Sequence, residues 1–263
     1  MHTIVLYCKS YHNDVDRAKV LLESVWRFNT ENIPFYISTP KADMSLFRER
    51  LGTTGYTLLA DEDIDPMTSG WVGQQVVKAQ FWKLGLSHNY VCLDSDSQFI
   101  KNFGKADFMY TDDIPYTVCH EYKDFFEFME KYPMPFDPYA SFCKERLAVM
   151  DLFDRKGVIY DFGPSPTIWS AKVWKSLVDN YLAPNNLTIS QAFSIIPSEF
   201  TWYGEWLLTS KEIPIYPREP VFKSYHYRHQ YELDKQQGVT VERLAKYYIG
   251  YIINSNWGAP LKY

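Results

Sequence analysis

Across the first 100 residues, short apolar runs alternate with stretches of helical spacing, and few folds accommodate that order. Residues 3–8, 34–38 and 56–59 read as buried strands, and the apolar run that leads to Asp94 makes a fourth. Between them, residues 14–28 place Val15, Ala18, Leu21, Leu22 and Val25 at helical spacing, residues 43–51 form a shorter helix, and residues 70–84 a third. Strands and helices in such alternation predict an α/β fold, a largely parallel sheet covered by helices. The fourth strand ends in Asp94-Ser95-Asp96 before apolar residues resume at Phe99 and Ile100. Burying an unpaired carboxylate costs about several kcal/mol, so a strand that delivers two of them to its end calls for a compensating cation. The carboxyl ends of strands are also where open α/β sheets bind ligands. Asp94 and Asp96 lie two apart, share a face of an extended chain, and suit one hard divalent ion, Mn²⁺ or Mg²⁺. The plain alternative is an Asp-rich turn that caps a loop.

Composition removes several function classes. A formal net charge of -5 without a basic cluster argues against a nucleic-acid partner. The first residues lack the basic region and long apolar core of a signal peptide, and no apolar run approaches membrane-spanning length. A cytoplasmic protein is expected, and peripheral contact with the inner face of a membrane is compatible with it. Cys8, Cys92, Cys119 and Cys143 are scattered without C-x-x-C spacing and read as reduced core thiols. Aromatic residues make up 17% of the chain, an excess that suits both a packed core and surfaces that stack on sugars.

After Asp96 the pattern loosens. A strand is expected at residues 116–119, a helix at 123–131, a Pro-rich connector at 132–138 and a helix at 141–155. Residues 158–162 read as a strand ending in Gly163-Pro-Ser-Pro166, followed by helices at 172–181, 189–195 and 197–208, the last despite Gly204. Strands at 213–216 and 221–227 then precede a final helix at 241–253. The connector divides the chain into halves, residues 1–131 and 132–263, with no repeat or linker that would make them independent.

Ser10-Tyr11 with Asp14 and Arg17 after the first strand, Gln74-Gln75 with Lys78 in the helix before the fourth, and Leu93-Asp-Ser-Asp96 together resemble the GT-A-type nucleotide-sugar-dependent glycosyltransferases. The resemblance covers the first 100 residues and only the general layout beyond. It implies a Rossmann-like nucleotide-binding half, a more variable acceptor-binding half, and transfer of a sugar from a nucleoside diphosphate donor. UDP-sugars are the favoured donors and GDP-sugars the next. The implied acceptor is a saccharide or glycolipid, including lipid-linked saccharides, in surface glycan or polysaccharide synthesis. Asp96 is then the first expected metal ligand, with Asp94 a second ligand or a partner of donor hydroxyls.

Strand alternation over residues 222–228 groups Ser224, His226 and Arg228, so His226 is expected to complete the coordination and Arg228 or Lys223 to pair with phosphate. Ser10, Tyr11 and Asp14 are expected at the donor nucleoside, although Asp14 also sits where a helix N-cap belongs. Gln75 and Lys78 share a helical face that either reaches the nucleotide or faces solvent. For the base, Glu199 shares a helical face with Tyr203 and Trp206, which suggests a sugar pocket, while a helix-start acid is its plain reading. Asp161 is the second candidate and Glu205 the third.

Two other catalytic classes fit less well. Leu93-Asp-Ser-Asp-Ser97 also looks like the nucleophile strand of haloacid-dehalogenase-like phosphatases, with Asp94 phosphorylated and Mg²⁺ neutralising the site. That pair usually lies on the first strand, whereas here it comes far into the chain. A sugar nucleotidyltransferase would require a Gly-rich N-terminal loop, and Lys9-Ser10-Tyr11-His12 has no glycine. A carbohydrate-binding module would mostly be a β-sandwich, which the helical periodicity opposes.

Overall fold

The computed structural model describes residues 1–66, 70–132 and 135–263. Its first part follows the expected alternation: β1 (His2–Lys9), α1 (Val15–Phe28), β2 (Phe35–Thr39), α2 (Met44–Leu51), β3 (Thr57–Ala60), a single turn α3 (Asp61–Ile64), α4 (Gly70–Gln80), β4 (Ser87–Asp94) and β5 (Ser97–Phe99). The second part adds β6 (Thr117–Val118), α5 (Lys123–Met129), α6 (Pro138–Leu152), β7 (Thr167–Ser170), α7 (Ala171–Leu177), α8 (Ile189–Ile195) and α9 (Glu199–Ser210). It ends in β8 (Pro217–Arg218), β9 (Phe222–Tyr225), α10 (Arg228–Gln236), α11 (Val241–Leu244) and β10 (Gly250–Ile253).

The main sheet has the order β3-β2-β1-β4-β7, parallel except for β7, which runs antiparallel to β4. The protein is thus α/β with a mixed, mostly parallel sheet flanked by helices. Alternation along β1 builds both faces: Val5 and Tyr7 pack with α4, α7, α8 and α9, while Ile4, Leu6 and Cys8 pack with α1 and α2. Tyr7 stacks on Phe81 with centroids 3.9 Å apart and bonds Ser38 Oγ through its hydroxyl at 2.8 Å. The fully buried Trp169, Trp174 and Trp202 show where much of the aromatic excess goes, into the core.

Beyond Asp96 the structure departs from the sequence reading at several points. Residues 158–162 form only an isolated bridge, Asp161 with His120, and the strand that completes the main sheet is β7, after Gly163-Pro-Ser-Pro166. Residues 213–216 are irregular and lead into the two-residue β8, which pairs with β6. The strand expected over 221–227 stops at Tyr225, because Gln230 Oε1 caps the Tyr227 N–H and α10 starts at Arg228. The helix expected over 241–253 stops at Leu244, and residues 250–253 become the central strand of a second sheet, β5-β10-β9. Pairing on both sides outweighs helical spacing there. Of the connector at 132–138, Pro133 and Met134 lie outside the described residues. No helix among the described residues is long and apolar enough to cross a membrane.

The chain lays β2 and β3 to one side of β1 and β4 to the other. The order therefore reverses between the carboxyl ends of β1 and β4, the crevice in which open α/β sheets take ligands.

Candidate functional site

Lys9 and Asp94 are register partners at the ends of β1 and β4, so both strand ends open onto the same crevice. After β1, Ser10 is buried, and its hydroxyl has no partner among the described residues. Asp14 holds the N-cap position of α1, yet its side chain makes no capping bond. Burial raises its pKa, while Arg17 and a hydrogen bond from Ser95 hold it down and Asp94 pushes it up. Arg17 itself donates to the Ala259 carbonyl at 2.7 Å.

Asp94-Ser95-Asp96 forms the turn between β4 and β5. Asp94 Oδ1 accepts from Lys78 Nζ at 2.5 Å, and the Asp94 N–H donates to Ser165 Oγ at 3.0 Å. Asp96 Oδ2 accepts the Ser255 N–H at 3.0 Å, but Oδ1 is shut from solvent with no partner among the described residues. Burial and the Asp94 carboxylate push the Asp96 pKa up to about 7, against the Ser255 N–H and Arg17. A buried acceptor left bare in this way is one that a proton or a cation would satisfy.

Beneath the turn lies Lys78, 8% exposed, with Glu199 Oε1 at 3.3 Å on its other side. Burial alone would lower the lysine, but Asp94 and Glu199 hold it well above its usual range. Burial raises Glu199, and Lys78 opposes that rise. Lys78 thus turns inward, away from the solvated face that was its plain reading. Gln75 is buried beside it on α4, and its Oε1 has no partner among the described residues.

The other expected residues are placed elsewhere. His226 lies past the end of β9, and its Nε2 shares a 2.7 Å hydrogen bond with the Tyr122 hydroxyl. Among the described residues no three His, Cys, Asp or Glu side chains are arranged to hold a metal, so His226 is not brought together with Asp94 and Asp96. Arg228 starts α10, is exposed, and donates to the Trp257 carbonyl at 2.9 Å. The sugar pocket expected around Glu199 is filled by core packing. Tyr203 accepts the Ser170 N–H, and Trp206 donates to Ser176 Oγ, both rings being buried. Glu205 is buried and paired with Arg155, whose Nη2 lies 2.8 Å from Oε1. Asp161 accepts from Arg146 Nη2 at 2.6 Å. Against its burial, Arg146 and His120 hold Asp161 below the usual carboxylate range, which suits a fixed anion better than a base.

Lys9, Asp61, Ser165 and Ser255 also belong to the site, although the sequence reading does not single them out. Asp61 follows β3 directly, the same strand-end signal that marks Asp94. Its Oδ2 pairs with Lys9 Nζ at 3.0 Å, and its Oδ1 has no partner among the described residues. Lys9, Tyr11, Asp61, Trp71 and Gln74 line a cleft of about 340 Å³ at this edge. A larger cleft of about 840 Å³ between α5 and α6 lies off the strand ends, and its charged lining residues are all exposed. The first cleft, where buried charge converges, is the better ligand site.

A family model described as a family of unknown function, DUF6492, matches residues 3–239. No curated protein matches the chain.

Proposed function

This chain belongs to the family DUF6492, and we propose that it transfers a sugar from a nucleoside diphosphate donor to a hydroxyl of a saccharide or lipid-linked saccharide. The observation that carries this reading is the Asp94–Asp96 turn at the switch point of the sheet, with Lys78 buried beneath it and Asp96 Oδ1 bare. UDP-sugars are the first donors to test and GDP-sugars the second.

The donor set fits Mn²⁺ or Mg²⁺. Such ions are held by one or two protein carboxylates plus substrate phosphates, and Asp96 Oδ1 with the second oxygen of Asp94 provides that pair. When bound, the ion neutralises charge that develops on the departing diphosphate. The remaining work falls to the chain. Lys78 fixes the orientation of Asp94, and Glu199 balances its buried charge. Ser10, Tyr11 and Asp61 line or adjoin the cleft beside β1 and are assigned to the donor nucleoside. Arg17, which bears electrostatically on both Asp14 and Asp96, replaces Arg228 as the cation assigned to phosphate.

Thermal unfolding with UDP, GDP, CDP and ADP, each with and without Mn²⁺, tests the reading. A ligand at about a hundred times its dissociation constant adds roughly 2.7 kcal/mol, a rise of several degrees for a chain of this size. The expected outcome is a Mn²⁺-dependent shift with one nucleotide that disappears in Asp96→Asn. If no nucleotide shifts the protein while Mg²⁺ with BeF₃⁻ does, the transferase reading fails in favour of a phosphatase with Asp94 as nucleophile.

A further inference from the structure

A second cleft, of about 680 Å³, opens beside residues 163–166, and its lining includes His120, Tyr122, Pro164, Glu219 and Lys223. It adjoins the donor site through one short segment. The Gly163 carbonyl accepts from His120, and two residues on the Ser165 hydroxyl accepts the Asp94 N–H. We propose that this cleft takes the acceptor saccharide and that His120 is the general base for its attacking hydroxyl, an assignment that rests on the transferase reading above.

Hydrogen bonding fixes which nitrogen is free. A carbonyl only accepts, so the 2.8 Å contact with Gly163 O makes Nε2 the donor, and in the neutral ring Nδ1 is then the basic nitrogen. His120 lines the cleft, and its Nδ1 has the exposed Glu219 carboxylate 3.7 Å away. Behind the ring, Asp161 Oδ2 stands 3.8 Å from Nε2. The two residues are locked by reciprocal backbone bonds, His120 N to Asp161 O at 3.1 Å and Asp161 N to His120 O at 2.7 Å. Arg146 keeps Asp161 anionic, so a positive charge formed on His120 meets Asp161 on one side and Glu219 on the other. The Tyr122 ring meets the His120 ring edge-on at 4.7 Å, and its hydroxyl is held by His226.

Tyr122 adopts φ +58°, a backbone conformation that a bulky side chain rarely takes and that marks functional segments. Its ring stacks with Phe125, centroids 4.6 Å apart, giving an aromatic wall of the kind that sugar rings pack against. The three carboxylates that the sequence suggested as bases are each paired: Glu199 with Lys78, Asp161 with Arg146, and Glu205 with Arg155. Beside the exposed Glu121, Lys123, Asp124 and Glu219, His120 is the buried group with a basic nitrogen among the described residues lining this cleft.

In the step so assigned, the acceptor hydroxyl gives its proton to His120 Nδ1 while its oxygen lone pair bonds to the anomeric carbon of the donor. The anomeric carbon–phosphate oxygen bond breaks with its electron pair on the phosphate, the nucleoside diphosphate departs, and His120 later releases the proton to water. Direct attack inverts the anomeric configuration.

The test uses the full chain with Mn²⁺ and UDP-glucose, UDP-galactose, UDP-N-acetylglucosamine or GDP-mannose, with methyl glycosides or water as acceptor. Donor binding is followed by calorimetry and nucleoside diphosphate release by a coupled assay. In His120→Gln, whose amide can still donate to Gly163 O, donor affinity is expected to stay at the wild-type value while release falls by roughly 10²–10⁴-fold. Added imidazole is expected to restore part of the rate to His120→Ala. An inverted product, read by proton NMR, completes the expected result. Release within threefold of wild type in His120→Gln, with no rescue of His120→Ala by imidazole, overturns the assignment, as does a retained product or a wild type that binds donor without releasing product. If the wild type binds no donor at all, the transferase reading itself fails and the assignment falls with it.

Discussion

Lys78 is a buried ammonium between two carboxylates, and such a group is strongly destabilising once its balance is broken. Lys78→Met leaves Asp94 and Glu199 uncompensated and is expected to cost about 3–5 kcal/mol in urea unfolding. Adding Glu199→Gln to it is expected to recover roughly 1–2 kcal/mol, because one buried charge goes with it. Asp161 supports a prediction with a pH sign. Its folded pKa lies below the ordinary aspartate value, so it contributes stability above that value and loses the contribution as pH falls through its folded pKa. Asp161→Asn is therefore expected to cost about 3–5 kcal/mol at neutral pH, and the gap to wild type is expected to narrow below about pH 4. A gap of constant size from pH 7 to pH 3.5 would count against an ionised Asp161. At this scale the sequence makes Asp94, Asp96, Asp14 and Lys78 legible, since strand ends and helical spacing place them locally. Their partners are not legible: Ser255 lies 159 residues from Asp96 and Glu199 121 residues from Lys78, separations that no local pattern carries.

Elements whose stability is local are read well, and elements that depend on partners are read less well. From β1 to β4 each expected helix and strand appears within a few residues of its place, with only the single turn α3 unforeseen, because burial on both sheet faces and helical spacing select the same structure. The stretch 241–253 carries helical spacing but becomes α11 and β10, because β5 and β9 offer ladders on both sides. α9 forms despite Gly204 for a contact reason: a methyl at that position would overlap the Phe162 ring. Alanine favours an exposed helix over glycine by about 1 kcal/mol, yet Gly204→Ala is expected to lower the melting temperature. Pairing it with Phe162→Ala is expected to cost less than the two single changes added, and strict additivity would remove the overlap as the cause.

Over the whole molecule, the site is joined from distant parts of the chain. β7 closes the main sheet beside β4, and β10 pairs with the strand that leaves the Asp94–Asp96 turn and with β9 on its other side. Ser255 sits at the first position of a short turn, Ser255–Trp257, where proline fits the backbone and removes only the N–H. Ser255→Pro thus deletes the N–H bond to Asp96 Oδ2. It is expected to destabilise the protein by about 1–3 kcal/mol and to weaken the Mn²⁺-dependent nucleotide shift. An unchanged shift would detach this turn from the site. Because Asp96 is clasped by residues near position 255, order of synthesis matters. A nascent chain can assemble the cleft beside β1 before residue 255 has been made, yet the carboxylate turn stays unclasped until that residue emerges. Of the strand-end acids Asp61, Asp94 and Asp96, Asp96 is therefore the last to acquire its native partner.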